Sequence, residues 1–184
     1  MTDSATVRAA SERDLPDIMR IHKAAFGDEA VDALVSDLLQ DPSARPTLSL
    51  IALAGGRPVG HVLFTKLRLA GSEQDNAVSL SILAPLAVVP EAQNKGVGRQ
   101  LIEAGLAKLQ EAGVDLVLVL GHPDYYPRHG FAPAGVLGLE APYPIPENKA
   151  GAWMVRALRP GVLGRVRGRV LCADALDKPE LWRE

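Results

Sequence analysis

Residues 93–99, QNKGVGR, combine residue types suited to anion binding and lie between a β-branched apolar run and a stretch with helical spacing. Gly96 and Gly98 allow the backbone to turn sharply, so that successive amide groups and the start of the next helix point outward. Such a concavity favours an anion, usually a phosphate, and Lys95 and Arg99 add positive charge nearby. Because a two-glycine turn is also a common structural feature, the surrounding sequence has to decide its role.

Two familiar phosphate-binding motifs do not explain this segment. The P-loop pattern G-x-x-x-x-G-K-[ST] does not occur in the sequence. The dinucleotide fingerprint G-x-G-x-x-G fails because Leu101 stands where its third glycine belongs. Neither a P-loop nucleotidase nor a Rossmann enzyme is supported.

A second motif, Y-x-x-x-G-F, runs from Tyr126 to Phe131 and follows the next apolar run. Together with Gln93-x-x-Gly96-x-Gly98, it resembles the GCN5-related N-acetyltransferase (GNAT) family, whose acetyl-CoA pyrophosphate loop has the pattern Q/R-x-x-G-x-G/A. The segments LAVVPEAQNKGVG and LGHPDYYPRHGF are most similar to a bacterial branch of predicted acetyltransferases. The resemblance covers residues 6 to about 158, and two motifs in the correct order make it specific.

The resemblance implies acetyl-CoA as cosubstrate. No metal site is expected, because the sequence lacks the cysteine/histidine spacing that zinc sites use. The loop amides would hold the pyrophosphate of coenzyme A, and the strand before the loop would pair with the pantetheine arm. Family members splay this strand from the next one, and Pro85, which cannot donate to a sheet, is a plausible site for the irregularity. The cofactor residues implied in this way are Leu86, Ala87, Val88, Gln93, Asn94, Lys95, Gly96, Val97, Gly98 and Arg99.

Tyr126 is the general acid that the resemblance implies. A phenol with a pKa of about 10 facing a thiol of about 8.5 makes proton transfer uphill by roughly 2 kcal/mol, which local tuning can remove. The alternative is that Tyr126 is a packing residue, since its neighbour Tyr125 shows that aromatic residues suit this turn.

A general base is harder to find in this sequence. Many family members carry a carboxylate on the strand before the loop, but that strand here offers only Ser79 and Ser81. His61 and His122 are candidates because imidazole titrates near neutral pH, and His122 is better positioned after a parallel strand. A single histidine is more often structural, and the amine can also arrive partly deprotonated.

Hydrophobic periodicity predicts an α/β (α+β) fold with a meander of three strands followed by a parallel βαβ unit. The resemblance implies that these form a GNAT-like mixed, largely antiparallel central sheet with a parallel βαβ cofactor-binding core and helices on both faces. A polar turn, AGSEQDN, joins the third and fourth strands. One more strand is expected in the C-terminal segment. The strands are expected at residues 6–10, 48–54, 59–69, 77–89, 114–121 and 152–158, and the helices at 15–26, 31–39 and 101–109.

Length and composition indicate one domain over residues 1–184, with a core at about 6–158 and a C-terminal extension at 159–184. A net charge of −2 supplies no general attraction to nucleic acid or anionic lipid, and neither partner is expected. The single cysteine, Cys172, cannot form an internal disulfide. With no apolar leader or membrane-spanning run, a cytoplasmic setting is expected.

Several other residues have simpler interpretations. His22 lies on the apolar side of the first helix and is expected to be a hydrogen-bonded core histidine, and Cys172 a small buried residue. Arg165, Arg167 and Arg169 alternate, which favours one face of a charged edge strand over an anion site. The loop at 141–151 borders the acceptor pocket or is a plain connector.

Two functions of different classes remain open. The first is an acetyl-CoA-dependent N-acetyltransferase acting on a primary amine of a small molecule or of a protein or peptide. The second is a non-catalytic acyl-CoA-binding module. The missing strand carboxylate favours the module, whereas Tyr126 favours the enzyme. A homodimer is possible in either case, and a dimerisation domain without cofactor would leave residues 93–98 unexplained.

Overall fold

The computed structural model describes residues 4–71 and 78–183. Its α-helices are α1 Leu15–Phe26, α2 Glu29–Gln40 and α3 Val97–Glu111. Its strands are β1 Thr6–Ala9, β2 Leu48–Ala54, β3 Arg57–Leu69, β4 Leu80–Val88, β5 Leu116–Leu120, β6 Ala132–Pro133, β7 Leu139–Glu140, β8 Trp153–Ala157 and β9 Gly168–Leu171. Most of the polar turn expected at 70–76 lies outside the described residues.

One sheet forms the centre of the fold, in the order β1-β2-β3-β4-β5-β8-β6. Strands β4 and β5 are parallel and are connected through α3, whereas the other neighbours along this path pair antiparallel. A parallel pair needs a crossover connection, and α3 supplies it. The predicted sheet, with its parallel βαβ core, is confirmed.

Helices cover both faces of the sheet, as the alternation of side chains along β3 shows. Phe64 packs against Gly105 of α3, while His61, three residues earlier, bonds to His22 of α1. Residues an odd number of positions apart point to opposite faces of a strand. The long apolar strand β3 is buried because α1 and α3 cover it from opposite sides.

The C-terminal segment packs into the core. Trp182 stacks edge-on against Trp153 of β8 at 5.7 Å between ring centroids, and its indole nitrogen donates to the carbonyl of Leu176. Cys172 is buried as expected, and burial raises the pKa of its thiol to about 12. Within residues 159–183, Val170 and Trp182 belong to the same buried hydrophobic cluster as Trp153.

The expected charged edge strand with three arginines on one face is wrong. Strand β9 contains only Arg169, because Arg165 and Arg167 precede its first residue. Its pairing is short on both sides, with Arg68 and Leu69 of β3 on one side and two residues of β7 on the other. Since β9 has a partner on each side, it is not an edge, and no further partners extend it toward Arg165.

Candidate active site

Strands β4 and β5 separate where the sequence predicted an irregularity. Their parallel pairing covers only Leu80–Ile82 with Leu116–Leu118, although β4 continues to Val88 along β3. The β3–β4 register shifts where Pro85, which has no amide hydrogen, interrupts the ladder. The expected irregularity at Pro85 is therefore confirmed, and it leaves an opening between the two parallel strands.

A cleft of about 1210 Å³ adjoins this opening. Its walls come from the end of β4, the following loop and first turn of α3, the turn after β5, and β8. Of the predicted cofactor residues, Leu86, Val88, Gln93, Asn94, Gly96, Val97, Gly98 and Arg99 line the cleft. Most of the implied set is thereby brought together, and the roles of these residues stay predictions.

Ala87 and Lys95 of that set do not line the cleft. Ala87 pairs with His61, on the opposite face of β4 from Leu86, and is buried. Lys95 lies on the other side of the loop, in an adjoining depression that also includes Arg20 and Arg57. Only the backbone of Ala87 can take part in the cleft.

The loop places the start of α3 beside the cleft. Gly96 has a φ of 84°, in the left-handed region, and is the residue from which α3 begins. The side chain of Gln93 donates to the carbonyl of Val88 at 2.9 Å, which ties the loop to the end of β4. The amides of Val97 and Gly98 belong to the first helical turn, where no carbonyl within the helix accepts from them. They can bind an anion.

Gly98 has a different role from the one predicted. Its φ does not lie in the left-handed region, so it is not required by the turn. A Cβ at this position would lie 2.6 Å from the Tyr125 hydroxyl oxygen, so the hydroxyl would have to move to admit any side chain. Gly98 is therefore explained by the close approach of Tyr125, and only Gly96 of the two glycines serves the turn.

The two adjacent tyrosines have unlike environments. Tyr126 is buried, with 8% of its surface exposed, and packs against Gly121 and edge-on against Phe131. Burial raises the pKa of Tyr126 well above its ordinary value, which makes proton transfer to a thiolate more uphill, so the expected tuning of this group is wrong in direction. Tyr125 is half-buried and lines the cleft, and burial also raises the pKa of its phenol. Sequence reasoning placed Tyr126 in the site and overlooked Tyr125.

The two candidate base histidines lie in different parts of the molecule, one at the cleft and one in the core. His122 is exposed after the carboxyl end of β5 and lines the cleft. His61 is fully buried, and its ring nitrogens lie 2.8 Å from His22 Nε2 and 2.8 Å from Ser49 Oγ. Burial and, to a smaller extent, His22 lower the pKa of His61 to about 3. His61 is a structural residue that does not line the cleft.

His22 is a core histidine, as predicted, but it is not fully hydrogen-bonded. Its Nε2 meets His61, whereas its Nδ1 is buried with no hydrogen-bond partner among the described residues. The ring stacks on Phe26 at 6.1 Å between centroids. Burial lowers the pKa of His22 to about 4. It is therefore held neutral at ordinary pH.

Charged residues also line the cleft, and among them the sequence analysis did not single out Arg156, Arg128 or Glu103. Arg156 of β8 donates to the carbonyl of His129, and Arg99 pairs with Glu103 at 2.9 Å. Arg128 lies in the same turn as His129. A charged residue within the apolar strand AWMVRAL was the available signal for Arg156.

The proline-rich loop borders a second, smaller cavity of about 420 Å³. Trp153 and Tyr143 form part of its lining, and the Tyr143 hydroxyl donates to Asp177 at 2.7 Å. In the part of the chain that the structure describes, no cluster of His, Cys, Asp and Glu could hold a metal ion. No described helix is long and apolar enough to cross a membrane.

Comparison with known proteins identifies the family. Residues 6–134 match the family model of the acetyltransferase (GNAT) domain. The chain is 46% identical over 170 residues to the N-acetyltransferase YjhQ of Escherichia coli K12, covering 92% of each. It is 32% identical over 165 residues to YhbS of the same strain, covering 89% of this chain and 93% of that protein.

Two solved structures match most of the chain in fold. The crystal structure of YhbS from Escherichia coli, in complex with CoA, matches with a TM-score of 0.84 and 30% identity over 95% of this chain and 92% of that one. A GNAT acetyltransferase from Brucella melitensis, in complex with acetyl-CoA, matches with a TM-score of 0.73 and 26% identity over 95% and 99%. The chain therefore belongs to the GNAT family of N-acetyltransferases.

Proposed function

We propose that this protein transfers the acetyl group of acetyl-CoA to a primary amine of a small molecule or of a protein or peptide. The observation that carries the proposal is one continuous cleft joining the opening between β4 and β5 to the first turn of α3. The opening offers strand backbone that β5 leaves unpaired for a thioester arm, and the helix start offers free amides for a pyrophosphate. Solved relatives hold CoA or acetyl-CoA.

In this proposal the backbone from Leu86 to Val88 pairs with the pantetheine arm, because β5 leaves that part of β4 unpaired. The amides of the loop and of the first turn of α3 bind the pyrophosphate. Lys95 adds charge from outside the cleft, in the adjoining depression. A backbone amide near Leu86 to Val88 faces the thioester oxygen and stabilises the tetrahedral oxyanion.

Acetyl transfer then requires that one proton be removed from the amine and one be supplied to the leaving thiolate. The amine nitrogen attacks the thioester carbon, the C–S bond breaks, and the coenzyme A thiolate leaves. We assign the proton for that thiolate to Tyr126, whose ring lies against Gly121 just after β5. We assign the base to exposed His122, which takes the proton that the attacking nitrogen loses, directly or through water. An amine that arrives protonated first gives one further proton to solvent.

The second candidate function, a non-catalytic acyl-CoA-binding module, has two observations in its favour. No carboxylate lies on β4, and Tyr126 is buried outside the lining of the cleft. Binding of acetyl-CoA without acetylation of any amine would support this function. A homodimer and a cytoplasmic setting, the latter argued from the single Cys172, remain predictions under either function.

Calorimetric titration with acetyl-CoA tests the proposed cleft. Gly96→Glu places a carboxylate where the pyrophosphate is expected, so affinity should fall at least about tenfold, or about 1.4 kcal/mol. Gly113→Glu is a matched control at the other end of α3, because Gly113 has a φ of 86° and, like Gly96, open space around it. Both variants are equally strained in the backbone, and only Gly96→Glu should lose binding.

Three outcomes are informative. Absence of binding by the folded wild type would overturn the cofactor assignment. Unchanged binding by Gly96→Glu would move the pyrophosphate away from the loop. Binding that depends on Gly96, followed by release of coenzyme A in a screen of primary amines, supports the enzyme.

A further inference from the structure

The hydroxyl of Tyr125 lies at the junction between the two halves of the cleft. The missing Cβ of Gly98 is 2.6 Å from this oxygen and 3.9 Å from Leu86 Cδ2. Gly98 belongs to the first turn of α3, and Leu86 to the part of β4 that does not pair with β5. The hydroxyl therefore lies against the first turn of α3, at the proposed pyrophosphate site, and Leu86 of the proposed pantetheine slot approaches the same glycine.

The ring of Tyr125 is held in this position by two aromatic neighbours. It meets Tyr126 edge-on at 5.1 Å and His129 at 5.0 Å between centroids. Such edge-to-face contacts fix the direction of a ring. The hydroxyl has no hydrogen-bond partner among residues 4–71 and 78–183, so its proton is available to a ligand in the cleft.

A neutral phenol suits this location. Loop residues and Arg99 already line this part of the cleft, and an O–H group adds a donor without adding charge. Burial raises the pKa of Tyr125, which keeps the proton on the hydroxyl at neutral pH. An alanine at position 98 would displace the hydroxyl, which gives a physical reason for glycine there.

We propose that Tyr125 binds acetyl-CoA by donating a hydrogen bond from its hydroxyl to the pyrophosphate, and that Gly98 is glycine to admit this hydroxyl. The proposal rests on the proposed function. It assigns Tyr125 to cofactor binding and leaves proton transfer to Tyr126.

Calorimetry on single variants measures the contribution of the hydroxyl. Tyr125→Phe removes one oxygen and keeps the ring contacts, so the Kd for acetyl-CoA should rise about tenfold, as expected for a hydrogen bond to a charged group. Tyr143→Phe, whose hydroxyl bonds Asp177 outside this cleft, is the matched control and should leave the Kd unchanged. Gly98→Ala should give a loss similar to that of Tyr125→Phe, because the methyl group occupies the space beside the hydroxyl.

A double variant and a second probe show where the hydroxyl acts. Gly98→Ala combined with Tyr125→Phe should bind no more weakly than the weaker single variant, because both changes remove the same contact. S-acetylpantetheine has the thioester arm but no phosphate, so wild type and Tyr125→Phe should bind it equally. Thermal unfolding of each variant checks that it is folded.

Equal affinity of wild type and Tyr125→Phe for acetyl-CoA overturns this inference and leaves the proposed function intact. An equal loss with acetyl-CoA and S-acetylpantetheine also overturns it, because the hydroxyl would then contact the thioester arm. If the folded wild type binds no acetyl-CoA, both the inference and the proposed function fail.

Discussion

Tyr125 and Tyr126 show how one residue type acquires two environments at adjacent positions. The 3-10 turn Tyr126–His129 directs the second ring into the core beside Gly121, while the first ring stays at the cleft beside Gly98. Neighbouring side chains in a turn point in different directions, so a shift of one position exchanges burial for exposure. The motif register favours Tyr126 for catalysis, and the packing favours Tyr125 for contact with the cofactor.

Tyr126→Phe tests the proposed proton donor. If Tyr126 protonates the leaving thiolate, kcat should fall at least about 100-fold, since a general acid contributes about 10² to 10⁴. The Kd for acetyl-CoA should change less than about twofold, because the ring and its packing remain. Steady-state rates with an amine found in the screen, together with calorimetry, measure both quantities.

The pH profile gives an independent check on the same residue. Because burial raises the pKa of Tyr126, the phenol stays protonated over the whole neutral and mildly alkaline range. A rate that requires this proton should therefore show no alkaline decline from Tyr126 below about pH 10. Unchanged kcat in Tyr126→Phe would remove Tyr126 from the mechanism.

At the scale of elements, α3 is seated on β3 through a glycine. The ring of Phe64 fills the space where a Cβ of Gly105 would stand. Leu101 and Leu109 flank this contact on the same buried side of the helix. The close seating of α3 sets the position of its first turn, where the cleft amides lie, so packing at the middle of the helix controls geometry at its start.

Gly105→Ala should lower the free energy of unfolding by about 1 to 3 kcal/mol, because the added methyl overpacks against Phe64. This overpacking cost opposes the gain of about 1 kcal/mol that replacing glycine by alanine brings to a helix. Urea unfolding measures the difference. Gly151→Ala is the control, since Gly151 has no atom within 4 Å of its missing Cβ, and it should change stability by less than about 0.5 kcal/mol. Equal effects of the two substitutions would contradict the claim that Gly105 allows α3 to pack closely against Phe64.

At the scale of the whole molecule, distant parts of the chain close the face of the sheet that lies opposite α3. The C-terminal segment brings Trp182 against Trp153, and α1 brings His22 against His61. The second contact buries two titratable groups, since neither ring has exposed surface. The stability of the whole fold should consequently depend on pH.

The protein should lose stability in mild acid. The pKa values of His22 and His61 are lowered by burial to about 4 and about 3, below the value of about 6.5 in an unfolded chain. The unfolded state therefore binds more protons as pH falls below about 6.5. The stabilisation is complete above that pH and is lost toward pH 4, by at most about 1.4 kcal/mol per pH unit for each histidine.

Urea unfolding at pH 7.5, 6.5, 5.5 and 4.5 measures this slope. His22→Gln keeps a polar group beside His61 but does not titrate, so its slope between pH 6.5 and 4.5 should be clearly shallower. His122→Gln changes an exposed histidine and should reproduce the wild-type slope. A wild-type slope near zero would show that the pair is not held neutral.

Much of the fold follows from local sequence. The strand at residues 48–54, the start of α1 at Leu15 and the helix through residues 101–109 were all predictable, because hydrophobic periodicity and turn residues act over a few positions. The loop at Gln93 to Gly98 was equally readable, since a helix start and a left-handed Gly96 are local features. Pro85 likewise marks the opening by lacking an amide hydrogen.

Tertiary structure alone decided which chemically capable residues meet. His61 and His122 look equivalent in sequence, yet packing of α1 buries the first and the end of β5 exposes the second. Arg156 reaches the cleft because β8 pairs with β5. Strand β9 is not the expected edge strand, because β7 pairs with it. Local pattern determines secondary structure and loop chemistry, whereas burial and proximity arise from contacts between segments far apart in the chain.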